Sequence, residues 1–176
     1  MITPFNDDFK NPANVEWFKS VMKEKFPDKP IVFLPCASAG KTRVKFGKKQ
    51  ISQSTSHQYM SKITRNPTIE KIIISEPLTV IPYSMEKLMP DYEYPPKLLH
   101  ARPEQLKIFV MRLRKFLQKL KQEGHRNVFF LGGKHHRRIL QTANRTVKLP
   151  IYYERLKGGS VDYKSASVRL LKMIKK

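Results

Sequence analysis

EQLKIFVMRLRKFLQKLKQEGHRNVFFLGGKHH, residues 104–136, carries two hydrophobic periodicities in succession. Leu106, Phe109, Val110, Leu113, Phe116, Leu117 and Leu120 recur at helical spacing, with Lys107, Arg112, Arg114, Lys115 and Lys119 elsewhere around the helix. Gly124 stops that helix. Val128–Leu131 is then continuously apolar and short, as a strand buried on both faces reads. Gly132-Gly133 follows, and a new helix is predicted from near His135.

The same alternation extends outward. Residues 14–26 read as an amphipathic helix, with Asn14 able to cap its start and Pro27 marking its end. Ile31–Leu34 and Ile72–Ile74 are two further buried strands, and Ser54–Ile63 and Ser165–Ile174 are predicted helices. Arg43–Ile51 is strongly basic and reads as a hairpin or a basic loop. From Pro77 to Pro103, repeated prolines exclude long helices and leave a loop or an irregular layer. Strands alternating with helices predict an α/β fold, a three-layer α/β/α sandwich with a mostly parallel central sheet. Residues 1–176 read as a single domain, with a helical extension over about 150–176.

Composition narrows the function. Lys and Arg number 35 against 14 Asp and Glu, a net charge of +21. Such a surface attracts phosphate backbones and releases their counterions, so RNA or another nucleic acid is the expected partner. The single cysteine, Cys36, excludes an internal disulfide and a cysteine-rich zinc module. No apolar run suits a membrane span, and a cytoplasmic location is expected.

In a parallel sheet, ligands bind at the carboxyl ends of the strands. Three such ends are distinctive: Pro35-Cys36-Ala37-Ser38-Ala39-Gly40-Lys41, then Ser75-Glu76-Pro77-Leu78, then Gly132-Gly133-Lys134-His135-His136. Cys36 is a candidate nucleophile, or else a small buried residue at a strand end. The small residues around Ser38, with Lys41, suit an anion, although a plain connecting loop reads at least as well. Ser54 can cap the helix that brings His57 to the same mouth, although a surface histidine reads equally well. Glu76 is a candidate general base or amine-binding carboxylate, although a capping or surface acid reads equally well, with Glu86 and Asp91 as further acids nearby. Cys36, Ser54, His57, Ser75 and Glu76 are expected to line one concave pocket with Lys41 at its rim. Arg43, Lys45, Lys48, Lys49, Lys134, Arg137 and Arg138 are candidate phosphate contacts. Adjacent helical histidines diverge by about 100°, which argues against a metal shared by His135 and His136. No metal and no cofactor are expected.

Two of these segments resemble the core domain of archaeosine synthase, in the archaeal tRNA-guanine transglycosylase-related family. Pro35-Cys36 and Ser54-Thr55-Ser56-His57 are similar to the two ends of its signature: Pro-Cys, three residues, Lys-Pro-Tyr, two residues, Ser, two residues, His. Ile73–Glu86, with Ser75, Pro77, Leu78, Pro82 and Glu86, is similar to its Ser-Pro-Leu-Gly-x-Val-Pro-x-x-Leu/Met-Glu stretch, as is Tyr92-Glu93-Tyr94-Pro95 to the stretch that follows. The resemblance covers roughly residues 30–135. Here four residues separate Cys36 from Lys41, the Pro-Tyr after the lysine is absent, Thr42–Gln53 is an insertion, and Thr79 stands in place of the glycine.

The resemblance implies a uracil-DNA-glycosylase-like fold. It also implies transfer of lysine, through its side-chain amine, to the nitrile of a cyano-deazaguanine base in tRNA, an amidinotransferase-like reaction. Cys36, His57 and Glu76 would be catalytic, with Pro35, Ser38, Lys41, Ser54, Ser75 and Pro77 around the substrate. The alternatives are a non-catalytic RNA-binding module or subunit of a tRNA-modifying complex, and a glycosylase-like enzyme acting on a flipped base.

Overall fold

The structure, a computed structural model, describes residues 9–36, 51–90, 92, 99–156 and 161–176. Five strands form one sheet: β1 (Ile31–Pro35), β2 (Glu70–Ser75), β3 (Thr79–Pro82), β4 (Val128–Gly132) and β5 (Ile151–Arg155). Their order is β3-β2-β1-β4-β5. β1 pairs in parallel with both β2 and β4, and β4 in parallel with β5, whereas β3 runs antiparallel to β2. The fold is therefore α/β with a mostly parallel, mixed sheet. The chain steps from β1 to β2 on one side and later to β4 on the other, so the order switches direction at β1.

The helices are α1 (Pro12–Lys23), α2 (Thr55–Tyr59), α3 (Ser61–Thr64), α4 (Pro103–Gln122), α5 (Lys134–Val147) and α6 (Val161–Ile174). Alternate side chains of a strand point to opposite faces of the sheet, and β1 divides its residues accordingly. Ile31 and Phe33 join a core with Trp17, Phe18 and Val21 of α1, Phe109, Leu113 and Phe116 of α4, and Leu140 of α5. Val32 and Leu34 join Met60, Ile63, Ala166 and Leu170 in a second core. Helices thus cover both faces, and the strands between them can be apolar throughout.

Several elements differ from the sequence reading. Asn11, not Asn14, caps α1 by accepting from the Ala13 N–H at 3.0 Å, because Pro12 is suited to the first helical position. Asn14 is buried inside the helix. The predicted helix 54–63 is two short helices interrupted at Met60, whose buried side chain, like that of Ile63, packs in the second core. Within the proline-rich segment β3 forms an edge strand, and residues 151–155, read as part of a helical extension, form the opposite edge. Of the predicted basic hairpin only Ile51 is described, in a 3₁₀ turn over Ile51–Gln53, and residues 43–50 lie outside the described residues.

Candidate functional site

The carboxyl ends of β1, β2 and β4 share one sheet edge, and β1 lies between the other two. Pro35 is in register with Ile74, so the residues that follow them, Cys36 and Ser75, stand side by side. The Ser75 hydroxyl donates to Cys36 Sγ at 3.1 Å. Tyr92 completes the group, its hydroxyl 2.6 Å from Ser75 Oγ and 3.8 Å from Cys36 Sγ. Ser75 and Tyr92 are buried and Cys36 is half-buried. Burial, with the nearby Cys36 and Glu76, pushes the Tyr92 phenol well above its usual range, so Tyr92 is a neutral hydroxyl in this cluster.

Beyond Ser75, Glu76 reaches across the end of β1 to the start of α5. Its Oε1 accepts from His135 Nε2 at 2.9 Å, and both carboxylate oxygens accept from His136 Nε2 at 3.1 Å. This corrects the expectation that the two histidines point apart. They occupy the first turn of α5, where side chains lean toward the helix start, and both rings tip over that end onto one carboxylate. Burial pushes the Glu76 carboxyl up. The charges of His136 and His135 and their hydrogen bonds outweigh it and hold the group below the usual carboxylate range. Glu76, His135 and His136 together present a donor set able to take a metal ion.

His57 has a different setting from the one expected. It is fully buried, its Nε2–H donates to the Pro35 carbonyl at 2.7 Å, and Nδ1 is hydrogen-bonded to the Tyr83 hydroxyl. A carbonyl only accepts, so the proton sits on Nε2 and Tyr83 donates to Nδ1. Burial lowers the His57 pKa to about 4, against a smaller opposing effect of the Pro35 bond. His57 therefore does not line an open surface beside Glu76. It braces the end of β1, one residue before Cys36. Ser54 caps α2, its Oγ accepting from the His57 N–H at 3.5 Å. Glu86 is buried and accepts from the Ser52 N–H at 2.8 Å.

Pro77, in a cis peptide bond with Glu76, is buried, and Lys134 and Arg138 are exposed around the two histidines with Arg137 half-buried. Ser38, Lys41, Arg43, Lys45, Lys48, Lys49 and Asp91 lie outside the described residues. A surface depression lined by Lys25, Pro27, Asp28, Glu123 and His125 belongs to the opposite edge, where β1 and β4 begin. Sequence reasoning assigns no site role to Tyr92 or Tyr83. Tyr83 follows a proline in an irregular segment, where no periodicity singles it out. Among the described residues no helix is long and apolar enough to cross a membrane.

No curated protein matches the chain. A solved structure described as that of AF0587, a protein of unknown function, is similar with a TM-score of 0.62 and 23% identity. The similarity covers 91% of this chain and 50% of that one, so this chain spans about half the length of AF0587. At that identity the likeness concerns the fold. A family model described as a domain of unknown function, DUF5591, matches residues 15–173, nearly the whole α/β unit just described, and the chain belongs to that family.

Proposed function

We propose that the chain is a tRNA-modification protein of the archaeosine-synthase type, with a three-layer, uracil-DNA-glycosylase-like fold, that adds lysine to a cyano-deazaguanine base. The observation that carries this reading is the Cys36–Ser75–Tyr92 cluster beside Glu76. It joins the ends of β1 and β2, the two segments on which the resemblance rests. The net charge of +21 supports a polyanionic partner, and Lys134, Arg137 and Arg138 edge the same face.

In the reaction, the lysine amine nitrogen bonds to the nitrile carbon, one π bond of the nitrile opens, and the proton lost by the amine ends on the nitrile nitrogen. Glu76 is the carboxylate that receives the lysine ammonium, which gives one proton to solvent to become the attacking amine, and the Ser75 hydroxyl turns from Cys36 Sγ toward the nitrile nitrogen as a donor, backed by Tyr92. His57 acts as a positioning residue that holds the β1 end, because both of its nitrogens are engaged.

A second reading, an RNA-binding subunit without chemistry, is favoured by the burial of His57, which takes one expected proton carrier away from the substrate. Incubation with cyano-deazaguanine tRNA and labelled lysine, alone and with cell extract, separates the two. Label entering the tRNA with protein alone supports the transferase. Label entering only with extract supports the subunit, and tRNA that neither binds nor gains label overturns both.

A further inference from the structure

We propose that Glu76, His135 and His136 form a binding site for one borderline divalent transition-metal ion, zinc being the reference case. The proposal goes beyond the tRNA reading and does not rest on it.

The three donor atoms, one from each side chain, lie within 4.8 Å of one another. Both imidazoles use Nε2, and both aim at the same carboxylate oxygen, at 2.9 and 3.1 Å. In a tetrahedral site with metal–ligand bonds of about 2.0–2.1 Å, neighbouring donors sit roughly 3.4 Å apart. The two Glu76–histidine contacts therefore need to open by only a few tenths of an ångström to admit an ion, and all three donors already lie within 4.8 Å of one another. The supports for such a site are present. Glu76 follows β2, both histidines are in the first turn of the 14-residue α5, and the ring of the fully buried Phe109 stands edge-on to His136.

Two imidazoles and one carboxylate select an ion of the zinc, cobalt or nickel kind over magnesium or calcium, which prefer oxygen alone. Three protein ligands among the described residues would leave a coordination position open, the arrangement of catalytic rather than structural zinc sites. Metal on Glu76 would also take the oxygen that the proposed lysine transfer uses, so the two roles are separable by experiment.

The test uses the tag-free 176-residue chain stripped with a chelator, without RNA. Zinc is titrated by calorimetry and cobalt by its visible absorption. The expected result is one equivalent bound, with affinity falling by at least about tenfold in His135→Ala and in His136→Ala, a loss that even outer-shell changes reach. The His135 side chain is 37% exposed, so His135→Ala is the variant expected to keep its fold, checked by circular dichroism. No binding by the wild-type chain overturns the proposal. So does zinc affinity unchanged in folded His135→Ala, which would put the ion elsewhere.

Discussion

The Ser75 hydroxyl and the Cys36 sulfur, 39 residues apart in sequence, are 3.1 Å apart at the ends of neighbouring parallel strands. Tyr92 caps the pair from a third segment. Three side chains in one hydrogen-bonded group should behave as a unit. Ser75→Ala and Tyr92→Phe are each expected to lower stability by about 1–2 kcal/mol, since each removes one end of a buried hydrogen bond. The double variant should cost less than the sum. Urea denaturation of the four proteins gives the coupling, and strict additivity would show that the 2.6 Å hydrogen bond between the two hydroxyls contributes nothing.

His57 predicts a pH dependence. Its pKa in the folded chain is lowered to about 4 by burial, below the ordinary value of 6.5. Between those values the unfolded chain binds the extra proton and the folded chain does not. Stability should therefore fall as pH drops from 6.5, level off below 4, and lose roughly 3 kcal/mol from this group. Denaturation midpoints at several pH values, compared with His57→Gln, check it. An equally steep profile in the variant assigns the effect to other groups.

Thr79 predicts a stabilising substitution. Its φ is +73°, a left-handed value that is costly for a β-branched residue, and its buried hydroxyl has no hydrogen-bond partner among the described residues. Thr79→Gly removes both costs and gives up some packing and chain stiffness. A net gain of about 1 kcal/mol is expected, read as a rise in melting temperature. A fall would mean that packing of the threonine methyl dominates.

Basic residues at the start of α5 predict a salt response. Replacing Lys134, Arg137 and Arg138 with Ala should weaken tRNA binding and flatten the slope of log affinity against log salt. The change should be roughly 0.7–0.9 for each phosphate that is no longer neutralised. Fluorescence anisotropy at several salt concentrations measures it. Unchanged slopes would mean that these three residues neutralise no phosphate.

Three strands are legible in the sequence because each is a short apolar run, and burial between two helical layers allows nothing else there. The edges are not. Thr79–Pro82 follows Pro77 and ends on Pro82, prolines that read as loop, and Ile151–Arg155 mixes tyrosines with charged residues, as an edge strand can. Pairing with β2 and β4, which are distant in sequence, makes them strands. At the site, the convergence of strand ends follows from parallel topology alone, and it brings Cys36 to Ser75. His57 cannot be placed in the same way, because a helix start fixes a position and leaves open whether the ring turns outward or into the core. His135 and His136 escape the angular rule because a first helical turn has no earlier turn beneath it, which leaves both rings room to swing over the helix end.

The chain has one tryptophan, and Trp17 is buried with its Nε1–H donating to the Val80 carbonyl at 3.0 Å. That bond fastens α1 to the outer strand β3, which is paired with β2, the strand ending at Ser75. The protein therefore contains its own fluorophore on the far side of the strand that carries the candidate site. Emission from Trp17 reports the closure of that edge without any label. A red shift on adding tRNA, with the circular dichroism of the protein unchanged, would mean that β3 has parted from α1 while the rest of the molecule stays folded.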